Sequence, residues 1–185
     1  MKKIFILSLC VMLCLTSVIA YADEDKEKFE DQSYPTFIIV KGEENIKAYE
    51  EAGIIKPSPE RYEFLKLPEI GTMGTSVPTK TWDLNDSSRY FSYSFSSYIY
   101  SDYKYLPCPD SLGSTGYGIY HYFEPDARQK MRLSFYSSNG DFEFNSPILD
   151  LDDVTAYGTA VKNKAYYIKY TSTQGTRISG SGEVY

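Results

Sequence analysis

Between Arg89 and Leu106 the chain reads RYFSYSFSSYIYSDYKYL, with aromatic residues at every second position. A period of two sends alternate side chains to opposite faces of an extended backbone, so the stretch is read as strand rather than helix. Phe91, Tyr93 and Phe95 alternate with Ser92, Ser94 and Ser96. The aromatic phase then slips twice, at Ser96-Ser97 towards Tyr98 and Tyr100, and at Ser101-Asp102 towards Tyr103 and Tyr105. An inserted residue makes a bulge or a turn. Two or three short aromatic segments are therefore expected, not one flat ribbon.

The same period continues. Tyr117, Ile119, His121 and Phe123 share one face, with Tyr120 and Tyr122 on the other. Met131, Leu133 and Phe135 alternate with Lys130, Arg132 and Ser134. Asn139-Gly140 is a hairpin signal, after which Phe142 and Phe144 alternate with charged residues. Further strands are expected over 154–161, 165–172 and 177–185. Strands at this spacing with no helix between them predict a mainly β fold, an antiparallel β-sandwich of jelly-roll or Ig-like type.

The start of the chain reads differently. Lys2 and Lys3 precede an apolar run from Ile4 to Ile19, then Ala20-Tyr21-Ala22 and a turn to acidic residues. This is the pattern of a secretory signal peptide over 1–22, and the run is shorter than the ~20 residues of a spanning helix. A secreted, extracellular protein is expected. Residues 23–70 read as an acidic N-terminal extension, either short α/β or partly disordered. It carries a strand over 36–40 and one helix over 43–52, with acids in its first turn and Gly53 to stop it. Tyr62, Phe64, Leu65 and Leu67 are candidates to pack on the sandwich, and the segment reads equally as a pro-region, a spacer or a docked extension. Residues 71–80 read as a linker, and 81–185 as the sandwich.

Composition narrows the chemistry. The formal net charge is −6, with no basic concentration, so nucleic acid is excluded as an expected partner. An outer-membrane barrel needs long strands with continuous apolar outward faces, and the closing strand has none, so membrane insertion is not expected. Cys108 alone remains after the signal segment, so no internal disulfide can form. His121 is the only histidine. Cys108 with His121 is the one thiol–imidazole pair available; both are read as structural. Asp150, Asp152 and Asp153 form a short acidic run that lacks the EF-hand pattern, so a solvated loop is preferred to a Ca²⁺ site. No catalytic residue, metal or cofactor is assigned.

The chain holds 19 tyrosines. Tyrosine buries its ring and keeps a hydroxyl for a partner. One role is cross-strand packing; the other is a rigid stacking surface for sugars or peptides. The ligand-binding candidates are Tyr93, Tyr98, Tyr100 and Tyr103.

Val77, Pro78, Thr79, Trp82 and Leu84, then Tyr166, Tyr167, Ile168 and Lys169, then Ser179 and Gly180 resemble a group of small secreted β-sandwich proteins of Gram-positive bacteria. The resemblance covers about residues 76–185. It implies the fold and export and carries no activity, and Trp82 is read as a core anchor. The expected function is a non-enzymatic secreted protein binding a cell-envelope, glycan or protein partner through an aromatic sheet face. The alternative is a secreted bacteriocin-like or membrane-active effector. A hydrolase would require carboxylates, or the Cys108–His121 pair, to converge in a cleft.

Overall fold

The alternating aromatics form strands because pleating lets every second ring leave water while the backbone groups pair with neighbours. The computed structural model describes residues 36–58 and 71–185. Residues 1–22, the acidic opening of the extension and Tyr62 to Leu67 lie outside the described residues. In chain order the elements are β1 (Phe37–Lys41), α1 (Glu43–Glu51), β2 (Gly71–Thr72), β3 (Thr81–Asp83), β4 (Arg89–Phe95), β5 (Tyr98–Tyr100), β6 (Lys104–Leu106) and β7 (Cys108–Pro109). There follow β8 (Tyr117–Pro125), β9 (Gln129–Ser137), β10 (Phe142–Asn145), β11 (Leu149–Leu151), β12 (Thr155–Ala160), β13 (Tyr166–Ser172) and β14 (Ile178–Val184).

Two mostly antiparallel sheets pack as a sandwich. The first runs β1-β12-β8-β14-β4-β2, with β7 also on β8. The second runs β10-β9-β13-β6-β3, with β11 on β9 and β5 on β13. Phe91, Phe123, Tyr157 and Val184 from the first sheet meet Leu133, Phe135, Ile168 and Tyr170 from the second in one core. Each such side chain, moved fully from water, contributes about 1.5–3 kcal/mol.

The slip at Ser96-Ser97 marks a change of sheet. β4 pairs with β14 in the first sheet, whereas β5 pairs with β13 in the second. Burial does not slip with the aromatics: Phe91, Tyr93 and Phe95 face the core, and so does Ile99. Tyr98 and Tyr100, flanking Ile99 in β5, therefore point away from it. The chain passes next through β6 in the second sheet and returns to the first at β7, where Cys108 lies opposite Gly118.

The extension contributes to the first sheet. β1 is antiparallel to β12, with Ile39 opposite Tyr157. α1 carries Glu43 and Glu44 in its first turn, and Gly53, at φ 66°, follows its end. Ile46 is wholly buried with Ile55, Tyr120, Tyr122, Ala156 and Tyr185 in a second cluster. The outer side of the first sheet is thus occupied by a helix.

Residues 71–80 are more than a spacer at their start. β2 runs parallel to β4, Met73 is in the core, and Gly74 exchanges backbone hydrogen bonds of 3.3 and 2.7 Å with Tyr100.

Candidate functional site

The outer face of the second sheet is the place where rings and solvent meet. Tyr98 is 39% exposed and Phe142 55% exposed. Between them runs an unbroken series of ring contacts. Tyr98 meets Tyr100 edge-on at 5.6 Å, and Tyr100 meets Tyr167 edge-on at 5.8 Å. Tyr167 stacks on Tyr136 at 5.1 Å and 7°, and Tyr136 meets Phe142 edge-on at 5.7 Å. The five rings come from β5, β13, β9 and β10, so the series crosses the sheet perpendicular to its strands.

Register explains the series. Tyr167 is directly opposite Tyr136, and Tyr136 is directly opposite Phe142. Opposed residues on adjacent strands bring their Cβ atoms to about 4.5–5.5 Å, close enough for rings to touch. Lys169, two residues from Tyr167, shares its face and stands opposite Tyr100. Its Nζ lies 4.2 Å from the Tyr98 ring centroid. Ser134 Oγ donates to Asn145 Oδ1 at 2.7 Å, adding polar groups beside the rings. Burial, with neighbouring Tyr100, Tyr136 and Asp141, pushes the Tyr167 phenol above its ordinary pKa. The hydroxyl is therefore kept as a hydrogen-bond donor.

A bulge sets the end of the series. The pairing of β10 with β9 shifts between Phe142 and Phe144. The strict alternation expected for these two phenylalanines would have put them on one face. Instead Phe142 lies outward on Tyr136, while Phe144 stacks on core Phe135 at 4.5 Å and 14°.

The four candidate tyrosines divide. Tyr98 and Tyr100 sit together in the outer series. Tyr93 does not join them: it is only 5% exposed, its ring contacts Phe91, Phe95 and Phe123, and its hydroxyl accepts from Gln129 Nε2 at 2.6 Å. β4 belongs to the other sheet and turns its odd-numbered residues inward, so Tyr93 is an interior residue rather than a surface one. Tyr103 lies in a separate group with Trp82, at 5.2 Å and edge-on. The Arg89 guanidinium sits 5.0 Å from the Trp82 ring and 5.1 Å from the Tyr103 ring. Trp82 is partly buried against the core. Tyr136, Phe142, Tyr167 and Lys169 join the series without having been candidates from the sequence. Their alternation was visible in the sequence, but the pairing of distant strands that unites them was not.

The thiol and the imidazole do not pair. Cys108 and His121 are both wholly buried. The Cys108 thiol reaches the Gly118 carbonyl at 3.5 Å. His121 Nε2 is hydrogen-bonded to Tyr170 Oη at 3.0 Å, and Nδ1 has no partner among the described residues. The ring stacks on Phe123 and is edged by Phe135 and Tyr170, and burial pulls its pKa down to about 3.

The acidic run is divided among partners. Asp150 pairs with Arg128 at 2.8 Å, Asp152 pairs with Lys41 at 2.6 Å, and Asp153 Oδ1 accepts from the backbone N–H of Val154. Among the described residues no group of three or more metal-ligating side chains converges.

No protein-family model, curated protein or solved structure matches this chain.

Proposed function

We propose that this is a secreted, non-enzymatic binding protein that takes a cell-envelope glycan on the outer face of its second sheet. The observation that carries the reading is the five-ring series from Tyr98 to Phe142, open to solvent at both ends. Sugar rings have apolar C–H faces that stack on aromatic rings, and their hydroxyls need polar neighbours. Tyrosine supplies both at low entropic cost, having few rotatable bonds. A sheet holds the rings rigidly, so little ordering is needed on binding. Lys169, Ser134 and Asn145 add hydrogen-bonding groups at the margin.

The test is a pull-down on purified cell wall with a glycan array in parallel. Saturable binding is expected, lost in Tyr136→Ala and Phe142→Ala and retained in Tyr103→Phe. Binding unchanged in the first two variants would sink the reading. Leakage of lipid vesicles without glycan binding would move it to a membrane-active effector.

A further inference from the structure

The charges among the rings discriminate between kinds of glycan. Lys169 stands between Tyr100 and Ser134 on neighbouring strands. Arg132 lies diagonally across on β9, opposite Thr171, which is itself opposite Tyr98. In a regular ladder such diagonal neighbours are about 7–8 Å apart. Neither cation makes an ion pair among the described residues. Arg132 Nε is buried without a hydrogen-bond partner among them.

The acids around this face are engaged elsewhere. Asp150 holds Arg128, Glu143 accepts from Lys164 at 2.6 Å, and Asp141, at the far turn, accepts from Ser137 Oγ at 3.4 Å. A chain of net charge −6 thus keeps Lys169 and Arg132 without an ion pair on the face that carries its ring series, with Lys130 next along β9 opposite Asp150. A cation without an ion pair offers an incoming carboxylate a charge-assisted hydrogen bond.

We infer that the ligand is an anionic polysaccharide of the polyuronate class, with pyranose rings on Tyr100, Tyr136 and Phe142, backed by buried Tyr167, and carboxylates reaching Lys169 and Arg132. The inference rests on the glycan reading above and specifies its charge. A single-stranded nucleic acid would also stack and carry negative charge. It would require a basic groove tracking every phosphate, and two cations on an acidic protein do not make one.

The experiment is affinity electrophoresis of the purified protein through gels containing alginate or polygalacturonate, each beside its carboxyl-reduced neutral form. A single-stranded oligonucleotide forms a further arm. The acidic polymers are expected to bind about tenfold more tightly than the reduced ones, as one charged hydrogen bond gives, and the preference should shrink with salt. Lys169→Gln and Arg132→Gln should each remove most of that preference, while Arg132→Lys keeps it and Tyr136→Ala weakens both polymer forms. Thermal unfolding of each variant checks that the fold is retained, and Arg132→Lys guards against a packing effect at that position. Equal binding of acidic and reduced polymers would overturn the anionic assignment and leave the glycan reading standing. No binding of any polymer, with a silent glycan array, would overturn both. Retention by the oligonucleotide alone would also overturn both.

Discussion

Tyr136 and Tyr167 lie directly opposite each other on β9 and β13, their rings 5.1 Å apart and 7° from parallel. They form the centre of the outer ring series, and neither is needed to fill the sandwich core. A double-mutant cycle, Tyr136→Ala with Tyr167→Ala, should give a coupling of about 0.5–1.5 kcal/mol in urea unfolding, the usual worth of an aromatic pair beyond its buried area. Strictly additive effects would show that the stack contributes no specific interaction.

Asp102 ties two aromatic groups together. It accepts from Arg89 Nε at 2.9 Å and from Tyr105 Oη at 2.7 Å, and both side chains of the ion pair are largely buried. Asp102→Ala removes the carboxylate from a guanidinium packed on Trp82 and Tyr103. Loss of one partner from such a pair costs about 3–5 kcal/mol, and the buried Tyr105 hydroxyl loses its acceptor as well. Chemical denaturation should show a loss of that size. A loss below about 1 kcal/mol would place the pair with ordinary surface bridges.

His121 should make stability depend on pH. Its folded pKa, about 3, lies below the unfolded value near 6.5. The unfolded chain therefore takes up the proton first as pH falls. The contribution of the neutral ring is complete above the unfolded pKa, and it is lost progressively down to about pH 3. Within that window the slope is up to about 1.4 kcal/mol per pH unit. Urea unfolding at pH 7, 6, 5 and 4 should show a shallower decline for His121→Gln than for the parent. Parallel declines would mean that the ring is not held neutral by burial.

Gly182 admits two neighbours where a side chain would stand. A Cβ there would collide with the Tyr122 carbonyl oxygen and lie 2.6 Å from Phe91 Cζ. β14 is flanked by β4 and β8 at this point, so neither neighbour can withdraw cheaply. Gly182→Ala should cost about 1–3 kcal/mol, the usual penalty for overpacking. Thermal unfolding measures it, and an unchanged midpoint would show that the strands have room to separate.

Much of the fold was legible in local pattern. The alternation through 91–95, 117–123 and 131–135 predicted strands, and all three are strands. The helix over 43–52 is α1, closed before Gly53. These features depend on residues within one or two turns of one another. The misplacement of Tyr93 has a different origin. Tyr93 and Tyr98 look alike in sequence, each a tyrosine following a serine, yet one faces the core of the first sheet and the other leaves the second. Phe142 and Phe144 look alike as well, and a bulge separates them.

By itself the amino-acid sequence determined that the chain alternates in twos and that strands rather than helices carry its aromatics. Only the tertiary structure decided which tyrosines meet solvent. The face a strand residue takes depends on which sheet its strand joins, and β13 pairs with β5 and β9 from far along the chain, while β10 meets β9 through a hairpin. It also decided that α1 covers one sheet while the other keeps Tyr98 and Phe142 exposed at the ends of its ring series, because burial is settled by what packs on a face and not by the residues of that face alone.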